Sequence, residues 1–149
     1  MFNFTINYRL NKKLSVFCFL VLCKKLLMKS YEDLDIYKMS LSLFYEVHPA
    51  SLLLPKYELY ELGSQLRRSS DSVNSNIVEG YGRKRYKADF IKFLVYSHSS
   101  CLETKGHLLK IKNLYAGLIP EIERFINDYD VLGAKIFNFI KYVEKNWQT

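Results

Sequence analysis

The chain has 149 residues, 49% hydrophobic and 25% charged, a balance that fits one soluble globular domain large enough to bury its own core. Cys18, Cys23 and Cys101 are an odd set with no metal-ligand spacing, which argues against a disulfide scaffold and for a reducing cytoplasm. Of the net charge of +7, residues 1–27 supply five cations and no acid, leaving 17 Lys/Arg against 15 Asp/Glu, so basicity alone does not single out a nucleic-acid binder.

Residues 1–29 form an N-terminal extension whose apolar run, Leu14 to Cys23, is about half of what a membrane-spanning helix requires. Cations precede it, as in a signal peptide, but Lys24 and Lys25 follow directly and no small-x-small cleavage site appears. Three readings stay open: a mis-called start with Met28 as the true one, an extra helix, or a targeting segment. No membrane association is expected.

Residues 30–149 read as the folded domain. Three prolines and six glycines leave long stretches without a breaker, which favours helices. Leu34, Tyr37, Leu41, Phe44 and His48 step by three and four, predicting a helix over Tyr31–His48 that Pro49 closes. Leu59, Leu62, Leu66, Val73 and Ile77 share one face of a second helix, Lys56–Glu79, in which Ser69 and Ser70 admit a close neighbour. Gly80 and Gly82 are expected to end it in the left-handed conformation.

Phe90, Phe93, Leu94, Ser97 and Cys101 place a third helix over Lys87–Leu114. Ala116-Gly117 marks the next turn, and Pro120 suits the first position of a fourth helix. There Ile122, Ile126, Tyr129, Gly133, Ile136, Ile140, Val143 and Trp147 alternate steps of four and three. Four such helices on short corners predict an all-α, antiparallel up-down-up-down four-helix bundle.

The 12 tyrosines and 10 phenylalanines exceed what this seam can hide. Tyr45, Tyr57, Tyr60, Tyr81, Tyr86, Phe125, Phe137 and Phe139 fall outside it, and exposed aromatics predict a homo-oligomer.

Arg67-Arg68-Ser69-Ser70, Asn76-Ile77-Val78-Glu79-Gly80, Gly82-Arg83, Phe93-Leu94 and Ser100…Glu103 together carry a resemblance. They resemble the 23S rRNA intervening-sequence (S23-type) four-helix bundle proteins, over roughly Tyr31 to Val143, with Asn-Ile-Val-Glu-Gly-x-Gly-Arg the most specific part. Where that family usually shows a Gly-Ser pair this chain has Ser99-Ser100, and a serine is still small enough for close packing. The resemblance implies a ring, a pentamer in particular, and a partner that is RNA or a ribonucleoprotein. It also implies kinship with the accessory protein of diversity-generating retroelements.

No catalytic grouping emerges, and no enzyme, cofactor or small-molecule substrate is expected. Glu103 and His107 are four apart on one helix, but a di-iron site needs matching pairs on two helices and further inward carboxylates; no metal is expected. The many serines lack a strand-turn-helix elbow and an evident base, and Gly80-x-Gly82 lacks the rest of a phosphate loop. Asn76, Glu79, Ser100 and Glu103 are expected to form a structural polar network fixing the register of helices two and three, with Arg68 reaching Glu103. Arg67, Arg68, Arg83, Lys84, Arg85, Lys87 and Lys92, interleaved with Tyr81 and Tyr86, are the candidate nucleic-acid-binding residues: cations pair phosphates and rings stack bases. The bland counterpart is a solvated corner neutralised by Asp71, Glu79 and Asp89. The expected function is a non-enzymatic oligomeric accessory protein that binds RNA or a ribonucleoprotein; the alternative is a protein-interaction adaptor with aromatic contact surfaces.

Overall fold

The computed structural model describes residues 30–147; the apolar run of the extension lies outside them. The chain divides into two compact units, 1–34 and 35–149. Of the first, a single 3-10 turn, Tyr31–Asp33, is described. Ser30 caps it: its Oγ accepts the Glu32 N–H at 3.3 Å, while Asp33 Oδ2 accepts the Ser30 N–H at 2.9 Å. Leu34 is extended, so the expected first helix does not begin at Tyr31.

The second unit contains α1 (Asp35–Ser51), α2 (Leu62–Gly82), α3 (Lys87–Leu114) and α4 (Ile122–Asn146). Each helix packs on its neighbour in sequence and α1 meets α4, which makes the antiparallel up-down-up-down bundle that the short corners require. The α4 seam buries every apolar position of its expected repeat from Ile122 to Val143, and α3 keeps its expected ends.

On α1 the buried stripe is one position out of phase with the expected one. Ile36, Ser40, Leu43, Val47 and Ser51 face the core, whereas Tyr37, Leu41 and Phe44 are half-buried and His48 is exposed. Two serines in the true seam hide it from a hydropathy count. Their hydroxyls are satisfied locally, Ser40 donating to the Tyr37 carbonyl at 2.9 Å and Ser51 to that of His48 at 2.6 Å. Asn74 Nδ2 of α2 reaches Ser40 Oγ at 2.9 Å across this narrow gap.

Three helix ends also differ from expectation. Pro49 lies inside α1, two residues before its end, where it removes the bond to the Tyr45 carbonyl and its ring crowds that oxygen, so the helix stops soon after it. The second helix starts at Leu62 rather than Lys56, because the Glu58 carboxylate accepts the Leu62 N–H at 3.2 Å and fixes the start there. Pro120 precedes α4 by two residues instead of opening it.

The larger correction concerns Gly80 and Gly82. Both are helical, and Gly117, at φ 79°, is the one positive-φ residue among those described. Gly80 serves proximity: a Cβ there would stand 3.0 Å from Phe93 Cβ and 3.2 Å from Phe90 Cδ2. Around it the α2–α3 contact is a seam of small hydroxyl residues. Ser97 donates to the Val73 carbonyl at 2.8 Å, Ser72 meets Ser100 at 2.9 Å, and Thr104 donates to Ser69 at 3.0 Å. Small side chains bring the helices together, and the shared hydroxyls satisfy the polar groups they bury.

Candidate nucleic-acid interface

Residues 83–86 turn α2 into α3 in one tight corner. The Arg83 N–H bonds the carbonyls of Glu79 and Gly80 at the end of α2, and the Tyr86 N–H bonds that of Arg83 at 2.8 Å. The C-terminus of α4 locks the corner from outside. Trp147 Nε1 donates to the Lys84 carbonyl at 3.1 Å, and its ring meets Phe90 edge-on at 5.1 Å. Lys87 Nζ donates to the Glu144 carbonyl at 2.6 Å, compensating an end-of-helix acceptor.

The cations here are in unequal states. Arg83 is paired to Glu79 at 2.7 Å and lies 5.0 Å over the Phe93 ring. Lys84 rests 3.6 Å over Tyr81. Arg85 is exposed and has no ion pair among the described residues, and Tyr86 beside it is 64% exposed. Lys92, also exposed, lies 5.9 Å from the Tyr96 ring. Of the acids expected to neutralise this region, only Glu79 forms an ion pair with a corner cation among the described residues. Asp71 sits twelve residues back along α2 from Arg83, or about 18 Å at helical rise.

Three of the candidate residues are not on the exposed face of the corner. Tyr81 is buried, one turn beyond Ile77 on the inner face of α2, with its ring edge-on to Phe90 at 6.4 Å; it cannot stack on a base. Arg67 is a structural residue. Its guanidinium donates to Ser51 Oγ at 2.9 Å and to the Leu59 carbonyl at 2.7 Å, tying the end of α1 to the following loop. Arg68 is exposed but, like Arg67, lies near the start of α2. The sixteen positions from Arg67 to Arg83 measure about 24 Å along the helix, so these two arginines belong to the other pole of the bundle.

The polar network also has different members. Asn76 Nδ2 donates to the Ser72 carbonyl at 2.7 Å and to Ser72 Oγ at 3.0 Å, and Ser72 passes the chain on to Ser100. Glu79 and Glu103 are exposed and stay outside it, the first with Arg83 and the second 3.6 Å from His107 Nε2. Arg68 does not pair with Glu103. Ser72 is among the serines expected only as small residues where the second and third helices cross, and it is the one that links Asn76 to Ser100. Its signal is its place three residues after Ser69, on the side that faces Ser100.

Phe93 and Tyr96 were likewise not singled out as surface groups. They meet edge-on at 5.8 Å on α3, and Tyr96 is 45% exposed. The spacing Lys92-x-x-x-Tyr96, which puts a cation and a ring on one helical face, is the signal that could have found them.

Elsewhere the chemistry is quiet. His107 is buried and neither ring nitrogen is hydrogen-bonded; among the described residues no group of three His, Cys, Asp or Glu side chains could hold a metal ion. Burial pushes the Cys101 thiol up to about 12, and its Sγ–H donates to the Tyr129 carbonyl at 3.2 Å, the opposite of an activated nucleophile. No helix among the described residues is long and apolar enough to cross a membrane.

A four-helix bundle with a hydroxyl-lined α2–α3 seam and a basic corner closing it is thus the class of protein that the geometry defines. The chain belongs to the 23S rRNA-intervening sequence protein family, whose model matches residues 32–138 and so takes in α1 to α3 and most of α4. No curated protein matches the chain.

Proposed function

We propose that this chain is a non-enzymatic accessory protein that assembles into a homo-oligomer, a pentameric ring, and binds RNA or a ribonucleoprotein through its basic corner. The observation that carries the reading is the state of that corner: Arg83, Lys84, Arg85, Lys87 and Lys92 at one pole, with a single acid paired to them among the described residues. Phosphate binding asks for such a local excess of cations, and a ring would repeat it around an axis. The family's association with an intervening sequence of 23S rRNA is in keeping with a partner of that class. The buried, unactivated Cys101 and the unassisted serines support a role without catalysis.

The test is binding of a short structured RNA to the full chain at two salt concentrations, against a variant with Arg83, Lys84, Arg85 and Lys87 all changed to Gln. Salt-sensitive binding lost in the variant is expected; unchanged affinity would refute the assignment. Light scattering on the same samples reads the oligomer.

A second reading is favoured by the opposite pole. There Leu52, Leu53, Tyr57, Tyr60 and Leu114 are each more than half exposed, and the Tyr57–Tyr115 hydroxyl contact at 3.4 Å brings the loops 52–61 and 115–121 together. Exposed apolar side chains gathered at one pole suit a protein partner, so an adaptor without nucleic-acid contact is the alternative. Reproducible capture of one protein, with no RNA affinity at moderate salt, would select it.

A further inference from the structure

The basic corner continues along α3 as an ordered strip. Arg83 lies 5.0 Å over Phe93, Phe93 meets Tyr96 edge-on at 5.8 Å with an interplanar angle of 83°, and Lys92 stands 5.9 Å from Tyr96. The order is cation, ring, ring, cation. The inner ring, Phe93, is half-buried against Gly80, whose missing Cβ is what lets it sit so close. That wedge holds Phe93, and Phe93 in turn supports one edge of Tyr96. Tyr96 therefore presents a ring to solvent from a helix interior rather than from a loop.

The bundle core does not account for this ring. Tyr96 lies outside the buried stripe of α3, which runs through Phe90, Leu94, Ser97 and Cys101. The strip's two cations are Lys92, beside Tyr96, and Arg83, which Glu79 pairs at the far end. An exposed ring held between cations offers a face for a flat, electron-poor heterocycle and charges for the phosphates on either side. Duplex RNA hides its base faces in the stack, and a rigid ring on a helix offers it nothing that plain cations would not.

Resting on the RNA reading above, we infer that the strip Arg83–Phe93–Tyr96–Lys92 is a stacking platform for unpaired bases, so that the RNA taken by this corner is single-stranded. Tyr96 contacts the base, Arg83 and Lys92 take the flanking phosphates, and Phe93 is a positioning residue.

The experiment is fluorescence anisotropy of a labelled short oligouridylate, and of an RNA duplex of equal length, with the full chain and with Tyr96→Ala and Tyr96→Phe. The emission of Trp147, whose ring packs on Phe90 in the corner, confirms that each variant is folded. The expected result is tighter binding of the single strand than of the duplex. Tyr96→Ala should weaken the single strand by about tenfold or more, leave the duplex unchanged, and be rescued by Tyr96→Phe. Equal affinity for duplex and single strand, with no effect of Tyr96→Ala, overturns the platform while the RNA reading stands. Failure to bind either RNA overturns the RNA reading and the platform with it.

Discussion

Gly80→Ala tests the central packing claim, that α2 and α3 approach as closely as they do because position 80 lacks a side chain. Two effects oppose each other. Alanine is a better helix former than glycine by about 1 kcal/mol. Against this, the new methyl would lie 3.0 Å from Phe93 Cβ, 3.2 Å from Phe90 Cδ2 and 3.4 Å from the Phe90 carbonyl oxygen. Phe90 is fully buried between Tyr81, Phe139 and Trp147, and Cβ and carbonyl atoms cannot move without their backbone. Relief must come from separating the helices, which stretches the Ser97–Val73 and Ser72–Ser100 bonds. Overpacking of this kind costs about 1–3 kcal/mol, which set against the propensity gain of about 1 kcal/mol leaves a net loss of up to about 2 kcal/mol. Gly106→Ala is the internal control. It lies within the same helix pair, but its added methyl would meet nothing within 4 Å, so the propensity gain of about 0.5–1 kcal/mol should stand alone. Urea unfolding of both variants should therefore move the midpoint in opposite directions at unchanged m. A Gly80→Ala protein at least as stable as the parent would refute the close-approach argument.

Arg67→Met should destabilise by about 2–3 kcal/mol, from two charge-assisted bonds lost at Ser51 and Leu59, while leaving RNA affinity unchanged; a loss of RNA binding with normal stability would contradict its structural role. Leu66→Ala, at a fully buried position, should cost about 2–5 kcal/mol in denaturant unfolding. With Cys18 and Cys23 changed to Ser, Cys101 should resist a thiol reagent in the folded protein and react on unfolding; rapid native reaction would refute its burial. The unfolded Cys101 thiol ionises near pH 9 and the buried one at about 12. The native state therefore keeps a proton that the unfolded chain loses, and stability should fall between those pH values by up to about 1.4 kcal/mol per unit, a slope that Cys101→Ala should reduce in urea titrations.

The fold was legible wherever large apolar residues alone marked the buried face. On α4 that condition holds from Ile122 to Val143, and the repeat and the burial coincide. It fails on α1, where Ser40 and Ser51 occupy core positions while Tyr37, Leu41 and Phe44 sit on the flank. A serine whose hydroxyl bonds its own helix is small and satisfied, so it can face a core that a hydropathy pattern assigns to its larger neighbours. The same blindness affects the glycines. Gly80 excludes a side chain because another helix lies against it, a long-range fact, whereas glycine near a helix end suggests only a local left-handed turn.

The candidate site fails and succeeds for a related reason. Residues adjacent in sequence are adjacent in space across a corner, so Arg83 to Lys87 stay together whatever the bundle does. Along a helix, sequence distance becomes length: each position adds about 1.5 Å, and Arg67 and Arg68 are carried to the far pole by the same α2 that delivers Arg83 to this one. Orientation then sorts what length has left. Tyr81 and Tyr86 are five residues apart, yet the first is the last buried position of α2 and the second precedes α3 on the outside. Helical phase, carried from Ile77 to Tyr81 by one turn, was enough to tell the buried tyrosine from the exposed one, provided that α2 is allowed to run through Gly80 to Gly82. Ending the helix early at Gly80 is what put Tyr81 on the surface.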